Sequence, residues 1–341
     1  TADLKAYQAK KREPVCTTYR SSYYICTMSP PSSGGIAIAQ SLGILENFDL
    51  SQYGPTNPSN EGGVPSVMGV HLVSEAQRLA YADRDKYVAD TDFIPLPGNG
   101  VSSMIDKAYL KQRASLINPN GNSMGTATAG NLGNVPLGVD KTVEKGTTHF
   151  SIVDAYGNVV SMTSTVESSM GSYHMVGGFL LTNQRTDFSV QPTDAAGVPV
   201  ANRVAPGKRP RSTMAPTLVF KGTGPGDFVM ATGSPGGGTI IQYVLKTVVG
   251  ALDWGLDAQQ ATSLVNFGAT NSPTTNVDGA NTSLDLTGLI DGLKAKGHTI
   301  NNAGQSSGVS TIMRVNRNGQ TKLEGGVDPR REGIVLGDGA L

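Results

Sequence analysis

The amino-acid sequence predicts a layered α+β fold. Helix-like and strand-like segments are mixed along the 341 residues without the regular strand–helix–strand rhythm of a doubly wound sheet. The 43 glycines and 19 prolines indicate many tight turns, and only 16% of the residues are charged. The length fits one large domain or two ordinary ones. We therefore expect a compact folded chain rather than a disordered one.

The charge balance argues against a nucleic-acid partner. Lys and Arg number 27, as do Asp and Glu, so there is no net field to attract a polyanion or an anionic membrane. No apolar run approaches the roughly 20 residues that a membrane span needs. The chain starts with Thr rather than Met and shows no apolar signal segment there, so we expect a piece of a longer, processed protein.

The first predicted element is a β-hairpin that turns near Arg20 and Ser21. This turn would set Cys16 opposite Cys26. Two interpretations remain open, a cross-strand disulfide or two small buried hydrophobic residues, and the disulfide would favour an oxidising compartment.

Helical periodicity follows the hairpin. Ile38, Leu42 and Leu45 share one face of a helix that begins after the loop PPSSGG, and a second helix covers residues 69–90. Residues 95–144 are loop-like, with a single helix expected over residues 102–117.

Strand patterns dominate the rest of the chain, with helices between them. The predicted elements are a hairpin over residues 148–166, a short strand at 177–183, a long polar loop at 186–212, strands at 215–220 and 226–232, helices opening at Ile240 and Asp257, a helix at 289–296 ended by Gly297, and a hairpin that turns at Asn318 and Gly319.

Two common kinds of site are disfavoured. The four histidines, at positions 71, 149, 174 and 298, show no metal-ligand spacing, so no dedicated transition-metal site is expected. The segment GQSSG matches a nucleophile elbow around Ser306, but a strand-like segment follows where the elbow needs a helix.

A threonine after a glycine indicates a different chemistry. An N-terminal Thr carries its own base, the free α-amine, whose pKa near 8 suits neutral pH. Thr147 would gain that amine if the Gly146–Thr147 bond were cut, and a glycine there lets the backbone adopt the strained geometry for attack on the preceding carbonyl. The segment TGSPGGG, residues 232–238, offers backbone N–H groups at a helix start to stabilise an oxyanion.

Several blocks of sequence resemble the γ-glutamyltranspeptidases, which are N-terminal nucleophile hydrolases. The blocks follow the family's order over nearly the whole chain and include PPSSGGIAIAQSLGILENFDL, TTHFSIVDAYGNVVSMTSTVESSMGS, GGFLLTNQRTDFS, PGKRPRSTMAPTLVF, TGSPGGGTII and DPRREGIVLGD. The resemblance implies a four-layer αββα sandwich without a cofactor, located in the periplasm or outside the cell. It also implies a zymogen that cleaves itself, leaving residues 1–146 as the tail of a large subunit and 147–341 as the small catalytic subunit.

The resemblance also implies the roles of individual residues. Thr147 would attack a γ-glutamyl amide, for example in glutathione, to form a γ-glutamyl enzyme that water or an acceptor amino acid or peptide resolves. The other implied residues are Thr165 to orient the nucleophile, Gly236 and Gly237 for the oxyanion, Glu167, Gln184 and Asp187 for the substrate's ammonium, and Ser212 and Thr213 for its carboxylate.

Three departures and two alternatives accompany the resemblance. Thr213 stands where a second serine is usual, the loop 189–206 carries no aromatic residue, and the family's carboxylate-binding arginine lies in the large subunit upstream of this chain. The alternatives are a related acylase acting on glutaryl amides of cephalosporins and an inactive truncated proenzyme. Buried carboxylates at Glu167 and Asp187 would be penalised without a cation, which favours the γ-glutamyl substrate.

Overall fold

A computed structural model describes residues 2–337, so Thr1 and the end of the predicted small subunit, 338–341, lie outside the described residues. The helices are α1 (Ala2–Ala6), α2 (Gly34–Leu45), α3 (Val67–Tyr87), α4 (Val101–Met104), α5 (Lys107–Ala114), α6 (Ile240–Leu252), α7 (Ala258–Ser263) and α8 (Thr287–Ala295). The strands are β1 (Val15–Tyr19), β2 (Tyr23–Thr27), β3 (Thr56–Ser59), β4 (Gly62–Val64), β5 (Thr148–Val153), β6 (Val159–Ser164), β7 (Met175–Val176), β8 (Phe179–Leu180), β9 (Thr217–Lys221), β10 (Phe228–Gly233), β11 (Phe267–Gly268), β12 (Thr274–Val277), β13 (Thr299–Asn302), β14 (Ser310–Arg317) and β15 (Gln320–Val327).

The largest sheet has six strands in the order β1-β2-β9-β10-β14-β15, all antiparallel to their neighbours. Local turn chemistry fixes two of its hairpins, β1–β2 and β14–β15. Arg20 and Ser21 have φ values of 53° and 52°, and Asn318 and Gly319 have 54° and 79°, which suits tight two-residue turns. Both predicted turns are confirmed.

The first hairpin carries a disulfide. Cys16 and Cys26 are directly opposite in the register of β1 and β2, their Cα atoms are 4.1 Å apart, and their sulfurs are bonded. The disulfide interpretation of this pair is therefore confirmed.

Helices cover one face of the large sheet. Its buried side chains, such as Ile25 and Val219, join a core with residues of α2, α3 and α6. The hairpin β5–β6 packs on the opposite face, where Ser161 Oγ donates a hydrogen bond of 3.0 Å to the Thr232 carbonyl. The first residue of β5 thus lies near the end of β10, which positions the site.

Some predicted elements differ in detail. The helix expected over residues 102–117 is interrupted, because Asp106 caps a new helix by accepting the N–H of Tyr109 at 2.9 Å. The strand expected at 177–183 is reduced to the exposed pair β7–β8. The helix α2 is buried on every side rather than on one face.

Two small sheets were not predicted from the sequence, the pair β3–β4 and a three-stranded sheet. The latter has the order β11-β12-β13, and β12 and β13 are parallel with α8 between them, a single crossover unit in an otherwise antiparallel α+β fold. Over residues 2–337, none of the helices combines the length and the apolar character that crossing a membrane requires.

Candidate active site

The Gly146–Thr147 bond lies immediately before β5. Gly146 has a φ of +62°, and a Cβ atom there would collide with the carbonyl oxygen of Glu167, so the position requires glycine. The Thr147 hydroxyl donates a hydrogen bond to the carbonyl oxygen of Gly146. The threonine side chain therefore lies against the peptide bond that the sequence predicts it to attack.

Thr165 lies across the hairpin from this bond. The register pairs Thr148 with Ser164, so Thr165 and Thr147 are the next residues beyond the two strands. Thr165 Oγ1 donates to the Gly146 carbonyl at 3.2 Å and accepts the N–H of Glu167 at 2.7 Å. Both hydroxyl groups thus contact the same carbonyl oxygen.

The glycine-rich loop meets the segment before this bond. Gly236 and Gly237 have φ values of +140° and +56°, and α6 begins three residues later. The N–H of Gly238 donates to the carbonyl oxygen of Glu144 at 3.0 Å, and a Cβ on Gly237 would collide with that oxygen. The predicted oxyanion loop is therefore in contact with the segment that leads to the predicted nucleophile.

The two predicted carboxylates lie beside the same segment. Glu167, at a φ of +76°, accepts the N–H of Lys145 at 3.1 Å and the hydroxyl of Ser168 at 2.6 Å. Burial, followed by the charges of Glu167 and Glu144, raises the pKa of Asp187 to about 8, while the side chain of Gln184 acts in the opposite direction. A cation bound between these carboxyl groups would lower that pKa, so the pair is suited to an ammonium group.

Ser212 and Thr213, the two residues predicted to bind the substrate's carboxylate, lie in different surroundings. Thr213 is buried, and its hydroxyl donates to the carbonyl of Gly237 at 2.7 Å, which holds the glycine loop. Ser212 Oγ accepts the N–H of Met214 at 3.1 Å, and Ser212 lines a cavity of about 910 Å³ together with Gln184. The Thr213 hydroxyl group therefore stabilises the glycine-rich loop.

Three arginines at this site had no predicted role. Arg84 on α3 and Arg211 in the loop before β9 both contact the Glu144 carboxylate. Arg331 donates to the carbonyl of Thr147 at 3.3 Å and to that of Ser306 at 3.1 Å. In the sequence, these arginines could have been noticed only as charged residues within segments whose other residues are mostly apolar.

The histidines do not act at the bond. His149 Nδ1 lies 2.8 Å from Thr163 Oγ1, and burial lowers the pKa of His149 to about 4, so this ring is neutral and points into the space between the sheets. His71 and His298, distant in sequence, are 2.8 Å apart through Nδ1 and Nε2 and lie near Glu75. Glu75 already accepts from Arg78 at 2.6 Å, which makes this group a hydrogen-bonded core network.

Comparisons with known proteins show which proteins this chain is similar to. The sequence matches the model of the gamma-glutamyltranspeptidase family over residues 1–338. The glutathione hydrolase proenzyme of Escherichia coli (strain K12) is 39% identical over 78% of this chain and 43% of that protein. The glutathione hydrolase proenzyme of Pseudomonas sp. (strain A14) is 34% identical over 98% of this chain and 56% of that protein.

A solved structure supports the fold. The crystal structure of a cephalosporin acylase from Bacillus halodurans superposes with a TM-score of 0.77 at 23% identity, covering 98% of this chain and 55% of that one. The chain spans about half the length of the curated relatives it matches. On the family match and these identities, the chain belongs to the γ-glutamyltranspeptidase family.

Proposed function

We propose that this protein cleaves itself at Gly146–Thr147 and then acts as a γ-glutamyl hydrolase and transferase. The observation that carries the proposal is the contact of the Thr147 hydroxyl with the Gly146 carbonyl, whose oxygen also accepts a hydrogen bond from Thr165. A second hydrogen-bond donor on this oxygen stabilises the negative charge that develops on it during the attack.

The self-cleavage step follows from this geometry. Thr147 Oγ1 bonds to the Gly146 carbonyl carbon, its proton passes to the amide nitrogen, and the C–N bond breaks to leave an ester. This step also frees the amine of Thr147, and water then hydrolyses the ester, which releases Gly146 as a carboxylate and restores the Thr147 hydroxyl. That amine has an ordinary pKa near 8 and serves as the base for the next attack.

Turnover would use the groups around the new amine. Thr147 would attack the γ-glutamyl amide of a substrate such as glutathione, with the N–H groups of Gly236 and Gly237 facing the oxyanion. Asp187, Glu167 and Gln184 would bind the ammonium group, and Ser212 with Thr213 would face the carboxylate. Water or an acceptor amino acid or peptide would then release the γ-glutamyl group.

The finer architecture is also part of the proposal. Residues 1–146 would be the tail of a large subunit and 147–341 the small subunit of one αββα sandwich, with the remainder of the large subunit upstream. The exposed apolar side chains on the outer face of β5–β6 support a further covering layer: Phe150, Ile152, Val160 and Met162, which are 40–51% exposed.

The protein would work in the periplasm or outside the cell. The disulfide between Cys16 and Cys26 supports this location, since disulfides persist in oxidising compartments. Trapping free thiols in cell fractions tests it, and a reduced pair in the native compartment would contradict it.

Self-cleavage is tested by intact mass and a denaturing gel of the full-length protein. Wild type should give two fragments that meet at Gly146 and Thr147, and Thr147→Ala should stay in one piece. Thr148→Ala is the matched control, because Thr148 is the neighbouring threonine and is exposed. A wild type that stays whole under maturing conditions would refute the proposal.

A second candidate is a glutaryl-amide acylase, favoured by the structural similarity to a cephalosporin acylase. The carboxyl pair of Glu167 and Asp187 argues against it, because a glutaryl group carries no ammonium to pair with them. Comparing kcat/KM for γ-glutamyl-p-nitroanilide and glutaryl-p-nitroanilide decides between the two. A chain that stays uncut and turns over neither substrate would support the third candidate, an inactive truncated proenzyme.

A further inference from the structure

Arg330 and Arg331 are consecutive, yet their guanidinium groups have different surroundings. Arg330 forms ion pairs with two buried carboxylates, Asp278 at 2.7 Å and Asp328 at 3.1 Å. Arg331 is exposed, and its Nη1 donates to the carbonyl oxygen of Thr147 at 3.3 Å. Among the described residues, 2–337, no carboxylate forms an ion pair with Arg331. Its charge is therefore not offset by a direct partner.

The loop before β14 holds Arg331 in this position. The carboxylate of Asp328 accepts the N–H of Val309 at 3.0 Å and the hydroxyl of Ser307 at 2.5 Å. The backbone N–H of Arg331 donates to the Asp328 carbonyl at 3.4 Å, and Arg331 Nη2 donates to the Ser306 carbonyl at 3.1 Å. Both the backbone and the guanidinium of Arg331 are thus bound to the same short segment of the chain.

The Arg331 side chain lies between the nucleophile and the glycine loop. Arg331, Thr148 and Pro235 line a cavity of about 280 Å³. A Cβ atom on Gly308 would lie 2.9 Å from Arg331 Cδ and 2.7 Å from Pro235 Cγ, so the stem of Arg331 packs closely here. The arginine therefore belongs to the wall of the candidate active site.

Self-cleavage would place a new amine close to this charge. The amine is the former backbone nitrogen of Thr147, and the nitrogen and carbonyl oxygen of one residue are about 3 Å apart. Arg331 Nη1 therefore lies within about 7 Å of this nitrogen. A positive charge at that distance disfavours the ammonium form, because like charges repel. In exposed surroundings the amine should lose its proton about 0.5–1 pH unit earlier than without the arginine.

Other ionisable groups face the same nitrogen. Glu167 lies next to Gly146, and its carboxylate favours the ammonium form. On the proposed function, the substrate's ammonium binds between Glu167 and Asp187 and offsets their charge. The remaining groups around the site are Tyr81, His149 and Tyr243, which are neutral near pH 7, Glu144 held by Arg84 and Arg211, Asp328 paired with Arg330, and the exposed Lys145 and Glu332. Within the described part of the chain, Arg331 is the ionisable side chain that hydrogen-bonds to Thr147 itself.

We propose that Arg331 tunes the base of the reaction: by holding the Thr147 carbonyl, it keeps a positive charge beside the amine and raises the unprotonated fraction of this amine at neutral pH. This inference rests on the proposed function and makes Arg331 a positioning residue. The amine has to accept the proton of Thr147 Oγ1, which only its neutral form can do. At pH 7, lowering the titration midpoint from 8 to 7–7.5 raises the neutral fraction from about one tenth to about a quarter to one half.

The first experiment titrates the amine and needs no turnover. Only the neutral amine reacts with acetic anhydride, so the labelling rate of the peptide that begins at Thr147, measured by mass spectrometry against pH, gives the midpoint. The two subunits of the full-length protein are also co-expressed as separate chains, the second starting at Thr147 once its initiator methionine is removed. This preparation has the amine whether or not the chain cleaves itself. Arg331→Gln should raise the midpoint by about 0.5–1 pH unit.

Three comparisons separate charge from structure. Arg331→Lys keeps the charge and should keep most of the shift. Salt at about 1 M should shrink the difference between wild type and Arg331→Gln, since it screens exposed charges. Arg317→Gln is the matched control, because Arg317 is also exposed but lies at the far end of β14 and pairs with Glu324 at 2.7 Å. Equal midpoints in wild type and Arg331→Gln would overturn the inference, as would an Arg331→Lys midpoint equal to that of Arg331→Gln.

The second experiment measures kcat for γ-glutamyl-p-nitroanilide against pH, because kcat reports groups that titrate in the substrate complex. Arg331→Gln should lower kcat about three- to fivefold at pH 7 and by less than about 1.2-fold at pH 9. A purely structural role would lower kcat by the same factor at both pH values, and that result would also overturn the inference. Absence of turnover in wild type would contradict the proposed function alone, because the amine titration stands without it.

Discussion

Gly146 holds a backbone conformation that an alanine would strain in two separate ways. Its φ of +62° lies in the left-handed region, where a side chain costs about 1–2 kcal/mol. An added Cβ would also overlap the carbonyl oxygen of Glu167, so the Gly146–Thr147 bond and the Glu167 segment could not both keep their positions. A displacement of about 1 Å at reacting atoms costs about 100-fold in rate. Gly146→Ala should therefore slow self-cleavage about 100-fold, measured as the uncut fraction on denaturing gels over time.

The hairpin supplies a control that separates the two effects. Gly157, at the turn between β5 and β6, has a φ of +84°, and a Cβ there would meet nothing within 4 Å. Gly157→Ala should thus lose a similar 1–2 kcal/mol of unfolding free energy, from backbone strain alone, and still cleave at the wild-type rate. If Gly146→Ala cleaved as fast as Gly157→Ala, the contact with Glu167 would not set the reactive geometry.

Three further predictions concern stability, measured by urea unfolding of the uncut Thr147→Ala chain. Burial and the charges of Glu167 and Glu144 raise the pKa of Asp187 from 3.8 to about 8, so stability should fall as pH rises between these values. Asp187→Asn should remove that slope, which reaches about 1.4 kcal/mol per pH unit for one proton. Burial lowers the pKa of His298 from 6.5 to about 3 and that of His71 as well, so these two rings should contribute a loss of stability below pH 6.5 that opposes the Asp187 slope, and His298→Asn should reduce this contribution. Cys16→Ser combined with Cys26→Ser should lower the unfolding free energy by about 3 kcal/mol, because the bond closes a loop with a separation of 10 residues. A profile that does not change in the matching variant would contradict each of these predictions.

Local signals explain which elements could be predicted from the sequence. The turn at Asn318 and Gly319 and the stop at Gly297 depend on residues that tolerate positive φ, and the structure has them there. The strands β12 and β13 are rich in Thr and Asn and have no clear alternation of apolar residues. Their parallel pairing arises across α8, and this long-range contact has no local signature.

The candidate site also combines features that short motifs predict with features that only long-range contacts create. The glycine before Thr147 and the glycine-rich loop are short motifs, so both could be identified from the sequence as candidate parts of one site. The partners of Glu144 could not, because Arg84 lies 60 residues away on a helix whose charges suggest a solvated face. Instead Arg84 is buried, and the nearby charges of Glu144 and Asp85 outweigh its burial and raise the pKa of its guanidinium group.

The same contacts that prepare the bond for cleavage also fill the site. Glu144 occupies the arginine pair through its side chain and the glycine loop through its carbonyl, while Gly146 lies against Thr165 and Glu167. On the proposed function, a substrate carbonyl would need the N–H groups of this loop. On the proposed function, the uncut chain is therefore blocked by its own segment as well as lacking a free amine. Self-cleavage removes both obstacles in one reaction, so the cleaved protein should bind glutamate in a calorimetric titration and the uncut Thr147→Ala chain should not.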